Sequence, residues 1–212
     1  MARTIYTEDE LLAGLSLMIN QQPLREIPLL ISLDGRSGAG KTTLAQKIKK
    51  HLEDQGHKVT LLQMENMYQG WDGLDAAARQ WSLSSRSISQ GGPAMWFGWN
   101  WETNEQTGPF TQKYEFSDTA VPRSLRLRAP RHILLCEGVG AMAGTSDLSI
   151  WLEVDAKTRK ARAIERDGQE MAAHWDMWAA QEEQLLIDRN VDYKDPSFYL
   201  DMSTRDETSA EG

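Results

Sequence analysis

Residues 35 to 42 read Gly35-Arg36-Ser37-Gly38-Ala39-Gly40-Lys41-Thr42, the pattern G-x-x-x-x-G-K-[ST]. Each fixed position has a mechanical job. The glycines let successive backbone N–H groups turn toward one centre and surround phosphate oxygens that side chains would obstruct. Lys41 carries a point charge to the β- and γ-phosphates, and the Thr42 hydroxyl can ligate Mg²⁺. A helix opening near Gly40 adds the positive end of its dipole to the same anion site. The spacing predicts a nucleotide site.

Phosphoryl transfer to a hydroxyl also needs a carboxylate that orients the nucleophile and takes its proton. Glu65, placed at the end of the run Lys58 to Met64, is the candidate base; the alternative is a solvated charge at a strand end. Glu137 follows Ile133-Leu134-Leu135-Cys136, the apolar-run-then-acid pattern of a carboxylate that holds Mg²⁺ directly or through water. Arg159, Arg162 and Arg166 are spaced i, i+3, i+7 and share one helix face, which suits a clamp on migrating phosphate charge. Exposed helices also carry arginines routinely, and Glu165 and Asp167 stand beside these as ready partners.

The elements that must position these groups follow from periodicity. Thr7-Glu8-Asp9-Glu10 is a capping box opening a helix to about Ile19. Pro28 to Asp34 is an apolar run suited to a strand covered on both faces, and Thr43 to Leu52 repeats Leu44, Ile48 and Leu52 at helical spacing. Gly56 ends that helix before a second strand, Lys58 to Met64. Residues 74–89 read as a helix. Residues 91–128 break the pattern and gather Trp96, Phe97, Trp99, Trp101, Phe110, Tyr114 and Phe116. This is an irregular or hairpin insertion whose aromatics either stack on a planar base or form a satellite core.

His132 to Cys136 is a third strand and Ser149 to Val154 a fourth. A helical region from Ala156 to Asp188 has a break near Gly168, with Trp175 and Trp178 packing it and His174 structural. Ser197 to Asp201 is a last strand, and the polar tail from Ser203 reads as disordered. Strands alternating with helices give an α/β fold in which ligands bind beyond the carboxyl ends of a parallel sheet.

A chain of 212 residues suits one domain with a small inserted lid. A net charge of −8 and a pI near 5.1 argue against a protein that tracks a nucleic-acid polymer. A lone Cys136 rules out an internal disulfide. No apolar stretch approaches a membrane span or a signal peptide, so a cytoplasmic protein is the default, and a homo-oligomer is compatible with it.

Together the landmarks resemble the uridine kinase-like family of P-loop kinases, and are most similar to its bacterial uridine kinase and ATP-binding protein members. The residues that carry the likeness are Leu33 to Thr43, Tyr68 to Leu74, Cys136 to Gly140, Arg159 to Gly168, and His174-Trp175 through Gln181-Glu182. The resemblance implies a three-layer α/β/α fold with a five-stranded, mostly parallel sheet and an N-terminal helix over residues 1–202. The insertion would span about 91–128, the lid about 159–175, and a tail 203–212. It implies ATP and Mg²⁺ as the donor, cradled by Gly35, Ser37, Gly38, Ala39, Gly40, Lys41, Thr42 and Thr43, with Thr42 and Glu137 on the metal. Lys41, Glu65, Arg162 and Arg166 would be catalytic toward a nucleoside-like hydroxyl of the uridine or cytidine type.

Two departures stand beside the likeness. Where the family has a segment resembling Asp-Asp-Leu-Tyr, this chain has Glu65-Asn66-Met67-Tyr68, and a Tyr-Asp-Trp-like acceptor segment reads Trp99-Asn100-Trp101. They motivate a second reading, a nucleotide-binding sensor or interaction protein with little kinase activity. A GTPase switch is disfavoured because no Asn-Lys-x-Asp motif is present.

Overall fold

The structure, a computed structural model, describes residues 4–114, 129–188 and 195–203. Helix α1 (Glu8–Gln21) starts at the expected capping box: Glu10 N donates to Thr7 Oγ1 at 3.2 Å and Thr7 N donates to Glu10 Oε2 at 2.8 Å. Such a cap contributes about 1 kcal/mol. Strand β1 (Leu29–Asp34) is buried along its whole length. It leads through the glycine loop to α2 (Lys41–Asp54), whose Leu44, Ala45, Ile48 and Leu52 are buried.

Strand β2 (Lys58–Gln63), helix α3 (Leu74–Ser89) and a hairpin of β3 (Ala94–Asn100) and β4 (Glu105–Gln112) follow. The chain then returns to the sheet as β5 (His132–Glu137) and β6 (Leu148–Glu153), and ends with α4 (Ala156–Asp188) and β7 (Phe198–Asp201).

Five strands pair in the order β2-β5-β1-β6-β7, every pair parallel. Alternate side chains point to opposite faces of a strand, and the core divides accordingly. Leu29, Ile31, Leu33, Ile133 and Leu135 face α1 and α2, whereas Leu30, Leu134 and Cys136 face α3, with Trp81 and Leu74 against them. The result is the expected α/β fold: a parallel sheet between two helical layers. The register sets Leu33 and Gln63 beside Glu137, so β1, β2 and β5 reach the carboxyl edge of the sheet together.

The structure corrects one boundary that bears on function. β2 ends at Gln63, and Met64–Met67 form a 3₁₀ turn. Met64 and Met67 are both fully buried in the cluster with α3, which a 3₁₀ turn allows and a continued strand with alternating faces would not. Glu65, expected at the strand end, therefore lies exposed on that turn. The insertion is a hairpin tied to α3, with Phe97 N donating to Gln80 Oε1 at 2.6 Å and Met95 N to Ser84 Oγ at 3.1 Å. The remainder of the insertion at 115–128, with Phe116, and the tail at 204–212 lie outside the described residues. The break in α4 falls at Gly168, whose φ of 70° and ψ of −147° interrupt the helix. Among the described residues no helix is long and apolar enough to cross a membrane.

Candidate active site

The glycine loop joins the end of β1 to the start of α2 and is packed from behind. A Cβ on Gly38 would stand 2.1 Å from the Arg159 carbonyl oxygen, so only glycine fits there. Gly40 has open space around it but a φ of 93°, a left-handed conformation that disfavours a side chain. It caps α2 without a side-chain hydrogen bond, which leaves the helix's first amides free to face an anion. Ala39 N closes a turn onto Arg36 O at 3.2 Å.

Lys41, at the first position of α2, is 8% exposed and its Nζ donates to Arg36 O at 3.0 Å. Burial lowers its pKa, against the opposing pull of the Glu182, Asp34 and Glu137 carboxylates. An ammonium in this position, bonded to a loop carbonyl, can hold a phosphate oxygen. Thr42 Oγ1 donates to Glu137 Oε1 at 3.0 Å, and Gln63 Nε2 donates to the same oxygen at 3.2 Å. Mg²⁺ takes few protein oxygens and completes its shell with phosphates and waters, so this hydroxyl–carboxylate pair fits it. The loop likewise fits a nucleotide's phosphates, being a cradle that a Cβ would fill.

Arg166 is exposed on α4 with its guanidinium on Asp167. Its pKa is raised, first by its hydrogen bonds to Asp167, and further by the charges of Glu65 and Glu137. Arg162 is half-buried on the same arm of α4. Arg159 departs from the expected row of three. It is 4% exposed, with Nε donating to Val154 O at 3.1 Å and Nη1 to Ser37 O at 3.2 Å. The first turn of α4 abuts the loop, so this arginine is buried behind it, whereas Arg162 is half-buried and Arg166 exposed.

Ser37, expected to offer its amide to phosphate, instead donates that N–H to Glu182 Oε1 at 2.8 Å, and its Oγ accepts from Trp178 Nε1 at 2.8 Å. Trp178 thus does more than pack. Asp34 is a further residue of the site: it is 2% exposed and accepts from Gly35 N at 2.7 Å, Gly140 N at 3.1 Å and Met142 N at 2.8 Å. Its carboxylate ties the loop to the segment after β5. The signal for Asp34 was local, an acid closing a fully apolar strand immediately before the first glycine. Glu182 stands in the last of the blocks that carry the family likeness, but nothing in its spacing points to the loop.

Beside the cradle stands an aromatic wall. Trp71 stacks on His174 with centroids 4.3 Å apart and meets Trp101 and Trp178 edge-on. Among the described residues Trp99 Nε1 is buried without a hydrogen-bond partner. Asn100 turns inward to the hairpin, its Oδ1 accepting from Glu102 N at 2.9 Å and Thr103 N at 3.3 Å. His174 Nδ1 lies 2.9 Å from Glu170 O, one turn earlier on α4.

A sequence model of the phosphoribulokinase / uridine kinase family matches residues 30–183. The chain belongs to that family. Two solved structures share this family member's fold, both at 16% sequence identity. One, described as a "possible uridine kinase" from Bacillus stearothermophilus, superposes with a TM-score of 0.53 over 90% of this chain and 97% of its own. The other, a proposed fructose transport system kinase from Silicibacter sp. TM1040, gives a TM-score of 0.57 over 92% and 98%. At that identity they show the fold and nothing finer. No curated protein sequence matches the chain.

Proposed function

We propose that this P-loop kinase is a cytoplasmic enzyme that moves the γ-phosphoryl group of ATP to a hydroxyl of a nucleoside-like acceptor of the uridine or cytidine type. The observation that carries the reading is the Thr42–Glu137 contact of 3.0 Å beside the buried Lys41. It unites a hydroxyl, a carboxylate and an ammonium at the mouth of a glycine cradle. Thr42 and Glu137 would hold Mg²⁺, which supplies charge neutralisation between the phosphates. Lys41 and the amides of Gly38, Gly40, Thr42 and Thr43 hold the donor.

Glu65 takes the acceptor's hydroxyl proton as the oxygen–phosphorus bond forms. The bond from the γ-phosphorus to the bridging oxygen breaks, and ADP leaves with that electron pair. Arg162 and Arg166 close over the migrating charge and exclude water, which limits idle ATP hydrolysis. The wall of Trp71, Trp99 and Trp101 suits the planar base of a nucleoside.

A second reading, a nucleotide-binding sensor, draws on two observations. Glu65 is exposed, and Asn100 spends its side chain on its own turn. A panel of nucleosides, with sugars included because one structural relative is described as a fructose transport system kinase, should be assayed with ATP and Mg²⁺ for phosphorylated product. Turnover of a nucleoside supports the kinase. ATP binding without turnover of any acceptor favours the sensor.

A further inference from the structure

All three polar groups of Ser37 are engaged by one helix. Glu182 Oε1 accepts from its N–H at 2.8 Å, Arg159 Nη1 donates to its carbonyl at 3.2 Å, and Trp178 Nε1 donates to its hydroxyl at 2.8 Å. These partners sit on both arms of α4, Arg159 before the Gly168 break and Trp178 and Glu182 after it. Glu182 is 1% exposed, and its Oε2 lies 3.7 Å from Arg159 Nη1. Next to it, Glu183 pairs with Arg36.

A buried carboxylate beside an anion site is electrostatically adverse to the ligand, since its charge opposes the incoming phosphates. Its contribution to such a site must therefore come from geometry. Trp178 also donates to Glu182 Oε1 at 3.1 Å, so the carboxylate is itself held in one orientation. A loop rich in glycine loses much conformational freedom on curling, and fixing one residue at three points removes part of that loss before the ligand arrives.

We infer that Glu182 is a positioning residue of the nucleotide site: with Arg159 and Trp178 it clamps Ser37, holds the phosphate loop curled, and couples both arms of α4 to it. The inference rests on the reading that the loop takes ATP. Because Arg162 and Arg166 ride on the same helix, a change in α4 is felt by the cradle as well as by the arginines.

The test measures the ATP–Mg²⁺ dissociation constant by calorimetry, and KM and kcat with the best acceptor. Wild type is compared with Glu182→Ala, Glu182→Gln and Trp178→Phe. Glu182→Ala should raise Kd and KM for ATP by about tenfold or more, the scale on which loss of an orienting partner acts, with kcat at saturation within about threefold. Glu182→Gln keeps an oxygen acceptor for the Ser37 amide and should recover to within about threefold of wild type.

A folded Glu182→Ala protein that binds ATP as wild type does, or more tightly, overturns the inference. Should Glu182→Ala not fold, a cycle of Ser37→Ala with Trp178→Phe decides. Coupled effects on ATP affinity support the clamp, and purely additive ones overturn it. A wild-type protein that binds no ATP overturns the functional reading and this inference with it. ATP-competent wild type alongside an unaffected Glu182→Ala overturns the inference alone.

Discussion

Thr42 Oγ1 donates to Glu137 Oε1 across 3.0 Å, joining the first turn of α2 to the last residue of β5. The contact is made possible by sheet register, because β5 lies directly beside β1 and both end at the same level. Replacing Glu137 by Gln keeps an acceptor for Thr42 but removes the charge that a divalent cation requires. The Mg²⁺ concentration for half-maximal rate should rise by about tenfold or more. Titration of initial rate against Mg²⁺, with thermal unfolding as the check on folding, reads the effect. An unchanged Mg²⁺ dependence takes Glu137 off the metal.

Lys41 is expected to matter for the ligand far more than for the fold. At an ATP concentration about 100 times Kd, binding adds about 2.7 kcal/mol of stability, which in a chain of 212 residues raises Tm by roughly 5–10 °C. Lys41→Ala should lose that shift. Its unliganded fold should survive, because the desolvation cost of a buried ammonium that the variant avoids offsets the opposing charge that Glu182, Asp34 and Glu137 lose. A variant still stabilised by ATP would contradict the phosphate assignment.

The parts of this design that depend on residue order were readable before any coordinates. The glycine loop, the capping box at Thr7 and the acid closing β5 each announce themselves within a few residues, and Gly168 betrays the break in α4 because it interrupts a helical run. What could not be read depends on packing between distant segments. Glu182 and Ser37 stand 145 residues apart in the chain, and no local periodicity links them. Arg159 shares its spacing with Arg162 and Arg166, yet contact between α4 and the loop buries it. Glu65 left the strand end because burial of Met64 and Met67, a tertiary demand, overrode a continuous β-like run.

That displacement sharpens the test of Glu65. On the 3₁₀ turn it is exposed, and its charge is felt by Arg166. Glu65→Gln removes the proposed proton acceptor while keeping the shape, so ATP affinity should hold within about twofold while kcat falls by about 100-fold or more, the scale of general-base catalysis. Single-turnover rates at saturating acceptor separate chemistry from binding. Full activity in the variant would move the base elsewhere.

Asp34 gives the site a pH signature. Burial raises its pKa from 3.8 to about 6, partly offset by the amides of Met142, Gly35 and Gly140 and by the charge of Lys41. The folded chain therefore binds more proton at Asp34 than the unfolded chain does between those two values. The stability tied to this proton is fully present below about pH 4. It is lost as pH climbs through about 6, a difference of about 3 kcal/mol across the window. Asp34→Asn cannot titrate, so its stability carries no pH dependence from this position. The difference in unfolding free energy, wild type minus Asp34→Asn, should fall between about pH 4 and 6 and level off above. Denaturant unfolding at half-unit pH steps measures it; a difference flat across that range would show that the Asp34 carboxyl titrates alike in the folded and unfolded chain.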